Sequence, residues 1–272
     1  MTLPRPRIIG LPYDASSSFL RGAAAAPPLI RAALHSPAGN WWTEDLMDLH
    51  GMLDDAGDLD LQSPGDARER IQAGIGAVLA DGGRPLALGG DHAVTWPVLR
   101  AIHAHHGPCT VLHIDAHPDL YDVFDGDPYS HACPFARILE EQLASRLVQV
   151  GIRAMNGHQR AQADRHGVEV IDMRAWGSGA RPSLDGAVYI SIDVDAIDPA
   201  HAPGVSHREP GGLTVRDVIG LVQNAGGSVI GADVVEFNPS RDVSGLTAQV
   251  AAKLVKELAG RMLDSERRRA PT

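Results

Sequence analysis

The chain has 272 residues, 44% of them hydrophobic and 21% charged, with 24 basic against 34 acidic side chains and a formal net charge of −10. Such a length fits one large domain or two small ones with a sizeable core, and the acidic balance argues against nonspecific binding to nucleic acid or an anionic membrane. Cys109 and Cys133 make no disulfide framework, the opening MTLPRPRIIG has no apolar h-region, and no run reaches the ~18 apolar residues of a spanning helix. A soluble cytoplasmic protein is therefore expected.

In chain order, PRIIGLPY reads as the first strand and ARERIQAGIGAVLADGG as a helix closed by glycine. PLALGGD, TVLHID, RLVQVGIR, VEVID, AVYISIDVD and SVIGADVVE are further strands. Several are continuous apolar runs, the pattern of strands covered on both faces. VTWPVLRAIHAHHG, SHACPFARILEEQL and VRDVIGLVQNAGG read as helices between them. The last helix is expected from about Leu246 to Met262, with Val250, Leu254, Leu258 and Met262 repeating every fourth residue as one buried stripe. The tail SERRRAPT is expected to fray. Alternation of this kind predicts βαβ units, a mostly parallel sheet with helices on both faces, and one domain over residues 1–272.

Functional groups in open parallel sheets sit just past the carboxyl ends of the strands. Three such ends carry polar clusters. PLALGGDHAV delivers Asp91 and His92; HIDAHPDLYD places Asp115, His117 and Asp119 at every second position; YISIDVDAIDP ends with Asp193 and Asp195 in the same alternation. A strand aims every second side chain at one face. If the three ends are neighbours, His92, Asp115, His117, Asp119, Asp193 and Asp195 converge as four carboxylates and two imidazoles. Four negative charges in one pocket require about four positive ones, the charge of two divalent cations. The donor set is rich in oxygen and free of thiolate, which favours ions such as Mn²⁺ over a structural Zn²⁺ site. Among neighbouring groups, His113 is read as core, Asp198 as a turn residue, and Asp91 as a residue that orients His92 or caps the following helix.

GGDH, DAHPD and SIDVDAIDP, in this order, resemble the ureohydrolase family of arginases and agmatinases. The resemblance runs from PYDASSSFLRGAAAAPPLIRAA to GADVVEFNPSRDVSGLTAQVAAKLVKEL, so it covers nearly the whole chain. DAHPDLYDVFDGDPYSHACPFARILE and APGVSHREPGGLTVRDV look most like plant arginases. The resemblance implies a three-layer α/β/α fold with an eight-stranded sheet and two Mn²⁺ ions. One ion would take His92, Asp115, Asp119 and Asp193; the other would take Asp115, His117, Asp193 and Asp195. It also implies that Glu236 holds a substrate guanidinium, that His131 passes a proton to the leaving amine, and that the chain assembles as a trimer or hexamer. The implied reaction releases urea from a small guanidino substrate, with L-arginine the leading choice and agmatine the alternative. Guanidinobutyrate and formiminoglutamate lie further out. His207, Arg208 or Glu209 would stand at the pocket mouth, with Arg208 available to a substrate carboxylate or to a surface ion pair. Two rival classes are a one-zinc deacetylase of related fold and a metal-binding protein without turnover.

Overall fold

The structure, a computed structural model, describes residues 4–63 and 65–267, with no side chains described for 265–267. Eight parallel strands form one sheet: β1 (Pro6–Gly10), β2 (Asp54–Asp58), β3 (Arg84–Leu88), β4 (Cys109–Ile114), β5 (Ala144–Val150), β6 (Glu169–Ile171), β7 (Ala187–Asp193) and β8 (Ser228–Val235). Their spatial order is β2-β1-β3-β8-β7-β4-β5-β6. Every residue of β3, β4 and β8 is buried, which is why these runs lack alternation.

Two apolar clusters lie on opposite faces of the sheet. One packs α1 (Ala26–Leu34), α7 (Val215–Gln223) and α8 (Leu246–Arg267) against Leu86, Leu112, Ile114 and Val234. The other packs α2 (Ala67–Ala80), α3 (Thr95–His106) and α4 (Pro134–Glu140) against Ala87, Val111 and Tyr189. The result is the expected α/β/α sandwich. The stripe Val250, Leu254, Leu258 and Met262 is buried as its spacing requires. α8 continues past Met262 to Arg267; the rest of the tail expected to fray lies outside the described residues.

Four elements were not read from the sequence. β2 reads DDAGD, a polar edge strand whose Asp55 and Asp58 carboxylates are held by Arg31 of α1. α1 begins on two consecutive prolines, tolerated in a first turn because its N–H groups lack helical partners anyway. α5 (Gly157–His166) is almost wholly polar and depends on a capping box between Asn156 and Gln159. α6 (Met173–Gly177) is a five-residue turn capped by Asp172. The helix expected from SHACPF onward starts at Pro134, so Ser130 to Cys133 are left as a loop that delivers His131.

Candidate metal centre

β3, β8, β7 and β4 are adjacent in the sheet, and their carboxyl ends meet at one spot. After β3 the chain passes Gly90 so close to Tyr13 that an added Cβ would fall 1.7 Å from its carbonyl oxygen. Asp91 then caps a short 3-10 turn, accepting the Ala93 amide at 3.1 Å, and this turn presents His92. After β4, Asp115 accepts the His117 amide at 2.6 Å, and after β7, Asp193 accepts the Asp195 amide at 2.7 Å. Both bonds fold the period-2 alternation into a turn that keeps the carboxylates and imidazoles together. Glu236 follows β8 and reaches across to accept the His92 amide at 2.9 Å. Asp119 and Glu236 hold φ values of +50° and +62°, a left-handed backbone that costs energy for residues with side chains and is concentrated at functional sites.

The six residues expected as metal ligands converge. His92 Nδ1 lies 3.1 Å from Asp115 Oδ2, 3.2 Å from Asp119 Oδ2 and 3.2 Å from Asp193 Oδ2. His117 Nδ1 lies 3.0 Å from Asp195 Oδ2 and 3.5 Å from Asp115 Oδ1. Among the described residues two groups able to hold an ion share Asp115, one with His92, His113 and Asp119 and one with His117 and Asp195; Asp193 belongs to neither group but stands 3.2 Å from His92 Nδ1. Donors at right angles around a hard dication, ~2.1 Å from it, stand roughly 3 Å apart, and these spacings match.

His92 Nδ1 supplies an independent test of fit. It is buried with no hydrogen-bond partner, although three carboxylate oxygens surround it. The other ring nitrogen, Nε2, lies 3.0 Å from Ser191 Oγ, and that hydroxyl donates its single proton to Asp233 at 2.6 Å. Ser191 can then only accept, so Nε2 keeps its proton and Nδ1 is the ring nitrogen placed to exchange a proton for a cation among the carboxylates. Asp233 also accepts the hydroxyls of Tyr189 at 2.7 Å and Thr95 at 2.8 Å.

Metal-free, these groups settle their repulsion with protons. Burial pushes Asp193 well above the usual carboxylate range, with Asp195 and Asp115 adding to the rise. Asp195 is raised by burial as well. Burial opposes a charged His117, yet Asp195 and Asp115 outweigh it and lift its pKa to about 12. His92 is likewise raised well above normal, its three carboxylate neighbours overcoming burial. The cluster is therefore buried, oxygen-rich and crowded with carboxylates.

His131 and Glu236 form a second unit beside the first. His131 Nδ1 lies 2.8 Å from Glu236 Oε1, and its Nε2 lies 2.8 Å from Ser18 Oγ. Burial lowers the His131 pKa, but Glu236 overrides it and raises it to about 9; Glu236 is held below its usual range by the same partner. Both line a cavity of about 190 Å³ with Ser18, His117, Asp119, Asp193, Asp195 and His207.

Several neighbouring expectations change. Asp91 makes no bond to the His92 ring; it caps the turn and accepts the Ser16 amide at 2.9 Å, fastening the segment that carries Ser18. Ser191 orients His92 instead. His113 is buried as expected, but it is more than core: its Nε2 meets Asp115 Oδ2 at 2.7 Å and its Nδ1 meets Gln149 at 3.0 Å. Arg208 donates to the Pro203 carbonyl at 2.9 Å and, among the described residues, pairs with no carboxylate, and of His207, Arg208 and Glu209 the cavity is lined by His207 alone. Asp198 is the turn residue expected, accepting the Ala200, Gly211 and Gly212 amides. Ser191 and Asp233 went unnoticed in sequence, and only cross-strand register links them: His113 pairs with Ser191 and Ser191 with Asp233.

Known proteins resemble this chain in sequence and fold. The chain is 48% identical to arginase 1, mitochondrial, of Arabidopsis thaliana over 94% of its own length and 80% of that protein. Agmatinase, mitochondrial, of Gallus gallus is 34% identical over 92% of this chain and 78% of its own. The solved arginase from Medicago truncatula superposes with a TM-score of 0.91 at 44% identity, covering 95% of this chain and 87% of that one. The Arabidopsis relatives are named mitochondrial or chloroplastic/mitochondrial, and this overturns the cytoplasmic expectation. A missing h-region argues only against secretion, because organellar addresses are Arg- and Ser-rich amphipathic segments that need none. Residues 5–260 match the arginase family, and with these relatives they show that the chain belongs to the arginase family.

Proposed function

We propose that the protein is a two-manganese arginase that hydrolyses L-arginine to ornithine and urea, with residues 1–272 acting as one ureohydrolase domain. The observation that carries this reading is the buried, unpartnered Nδ1 of His92 facing three carboxylates, within a chain 48% identical to a plant arginase. His92, Asp115, Asp119 and Asp193 would hold one ion, and Asp115, His117, Asp193 and Asp195 the other. An all O/N donor set without thiolate suits Mn²⁺. Bound there, such a pair supplies Lewis acidity and brings the pKa of water toward neutrality, providing the nucleophile for the guanidinium carbon.

The remaining work falls to side chains. Glu236, kept anionic by His131, receives the guanidinium, a planar cation matched to a carboxylate. His131, with a pKa near 9, is protonated at neutral pH and donates from Nε2 to the departing nitrogen, leaving ornithine as a free amine. Ser18 holds that Nε2 in place until substrate arrives. The chain is proposed to assemble as a homotrimer or homohexamer, which sedimentation equilibrium reads directly.

Agmatine hydrolysis is the second reading, and one observation favours it: among the described residues no Arg or Lys lines the cavity, so no guanidinium or ammonium side chain meets a substrate carboxylate. The deciding experiment loads the protein with Mn²⁺ and follows urea from arginine, agmatine and 4-guanidinobutyrate in parallel. Release from arginine with the highest kcat/KM is expected. Preference for agmatine would replace the substrate, and silence with all three would refute the hydrolase assignment.

A further inference from the structure

Glu236 lacks the capacity to satisfy a guanidinium alone. Its Oε1 already accepts the His92 amide at 2.9 Å and faces His131 Nδ1 at 2.8 Å, which leaves Oε2 as the free acceptor. An arginine side chain presents five N–H donors in a plane, and burying any of them without an acceptor is costly. A second acceptor should therefore stand in the same cavity.

His207 occupies that place. Its ring lines the cavity 5.3 Å from the His131 ring and 5.8 Å from the His117 ring, centroid to centroid, so it spans the gap between the Glu236–His131 pair and the carboxylate cluster. Phe19 stands 5.6 Å from it. Among the described residues neither ring nitrogen has a hydrogen-bond partner, although the loop around it is fastened on both sides. Ser206 donates to the Leu20 carbonyl at 2.7 Å and accepts from Asn238 at 2.9 Å. Arg208 donates to the Pro203 carbonyl at 2.9 Å, and the Glu209 carbonyl accepts from Arg153 at 2.9 Å and 2.6 Å. A loop anchored on both sides holds this half-buried imidazole at the cavity wall with both ring nitrogens uncommitted within the chain.

We propose that His207 is a substrate-contacting specificity residue, accepting a guanidinium N–H on the side of the cavity away from Glu236. A neutral imidazole keeps a lone pair on one of its two ring nitrogens, which is the acceptor a guanidinium N–H requires. The assignment rests on the guanidino-hydrolase reading and names which part of the substrate this loop reads.

Guanidinium ion and ornithine separate the two ends of the substrate, because each carries one end only and neither is turned over. Calorimetry on the Mn²⁺-loaded protein should show His207→Ala weakening guanidinium binding roughly tenfold to a hundredfold, with a matching rise in KM for arginine. Ornithine affinity and manganese content should stay within about twofold, and His207→Asn, which keeps an acceptor, should recover part of the loss. Unchanged guanidinium affinity, or an equal loss for ornithine, would overturn the proposal, as would manganese loss in both variants. A wild-type protein that binds guanidinium but releases no urea would strike at the hydrolase reading and still leave His207 judged by the titrations.

Discussion

Ser191 shows how far a single hydroxyl reaches. It takes the His92 Nε2 proton at 3.0 Å because its own proton is committed to Asp233, and that commitment leaves Nδ1 facing the carboxylates. Ser191→Ala removes the acceptor and leaves Nε2–H buried and unpaired, so the ring loses both its orientation and its preferred tautomer. Manganese affinity should fall about 10–100-fold at the His92 site, measured as metal retained after dialysis against graded chelator. Asp115→Asn should do worse in the same assay, lowering occupancy of both ions, because Asp115 belongs to both clusters. Equal retention in wild type and Ser191→Ala would show that packing alone, through Phe135 and His113, fixes the His92 ring. Asp115, His117 and Asp119 were legible because their spacing is a local pattern, although a turn after β4 and not the strand itself brings them together. Ser191 and Asp233 were not, because a serine and an aspartate 42 residues apart gain meaning only when β7 and β8 pair in register.

The elements divide the same way. Apolar runs such as TVLHI and SVIGADVV announce central strands, since two covering helix layers demand a hydrophobic side chain at nearly every position. β2 and α5 announce nothing, as their stability comes from ion pairs, caps and neighbours. The segment before β2 is another such case. Glu44 accepts both Arg216 guanidinium nitrogens from α7 at 2.5 Å and 2.9 Å, and pairs with Lys253 of α8 at 3.2 Å. The Arg216 bonds, assisted by Gln223 and Lys253, overcome desolvation and lower the Glu44 pKa from 4.5 to about 2. A depressed folded-state pKa stabilises above the unfolded value and is lost as pH falls through the folded one. Glu44→Gln should therefore cost stability at pH 7, by no more than about 1 kcal/mol given the solvent exposure of the pair. The gap between variant and wild type should narrow as pH drops below about 5 and close near pH 2, read by urea denaturation of the metal-free protein. A gap independent of pH would assign the loss to packing of the segment instead of to charge.

At the scale of the whole molecule, the sheet brings four strand ends together, and these ends contribute groups that repel one another. Fold and metal are thereby coupled: the native chain bears the strain, the unfolded chain does not, and an ion bound only to the native state returns the difference as stability. At a free ion concentration 1,000 times Kd that gain is about 4 kcal/mol per site. The gain must depend on pH. His92 and Asp193 have pKa values raised well above normal and His117 is near 12, so at neutral pH the metal-free site holds protons that coordination has to expel. Proton release on binding means tighter binding as pH rises. At fixed Mn²⁺ the increase in Tm should thus be larger at pH 8 than at pH 6. Calorimetric heats taken in buffers of differing ionisation enthalpy should reveal at least one proton leaving per chain. Binding that is indifferent to buffer and pH would mean the carboxylates and imidazoles are already bare in the metal-free protein. In that event something other than protons must hold the cluster together, and the link drawn here between strand-end repulsion and metal affinity would fail.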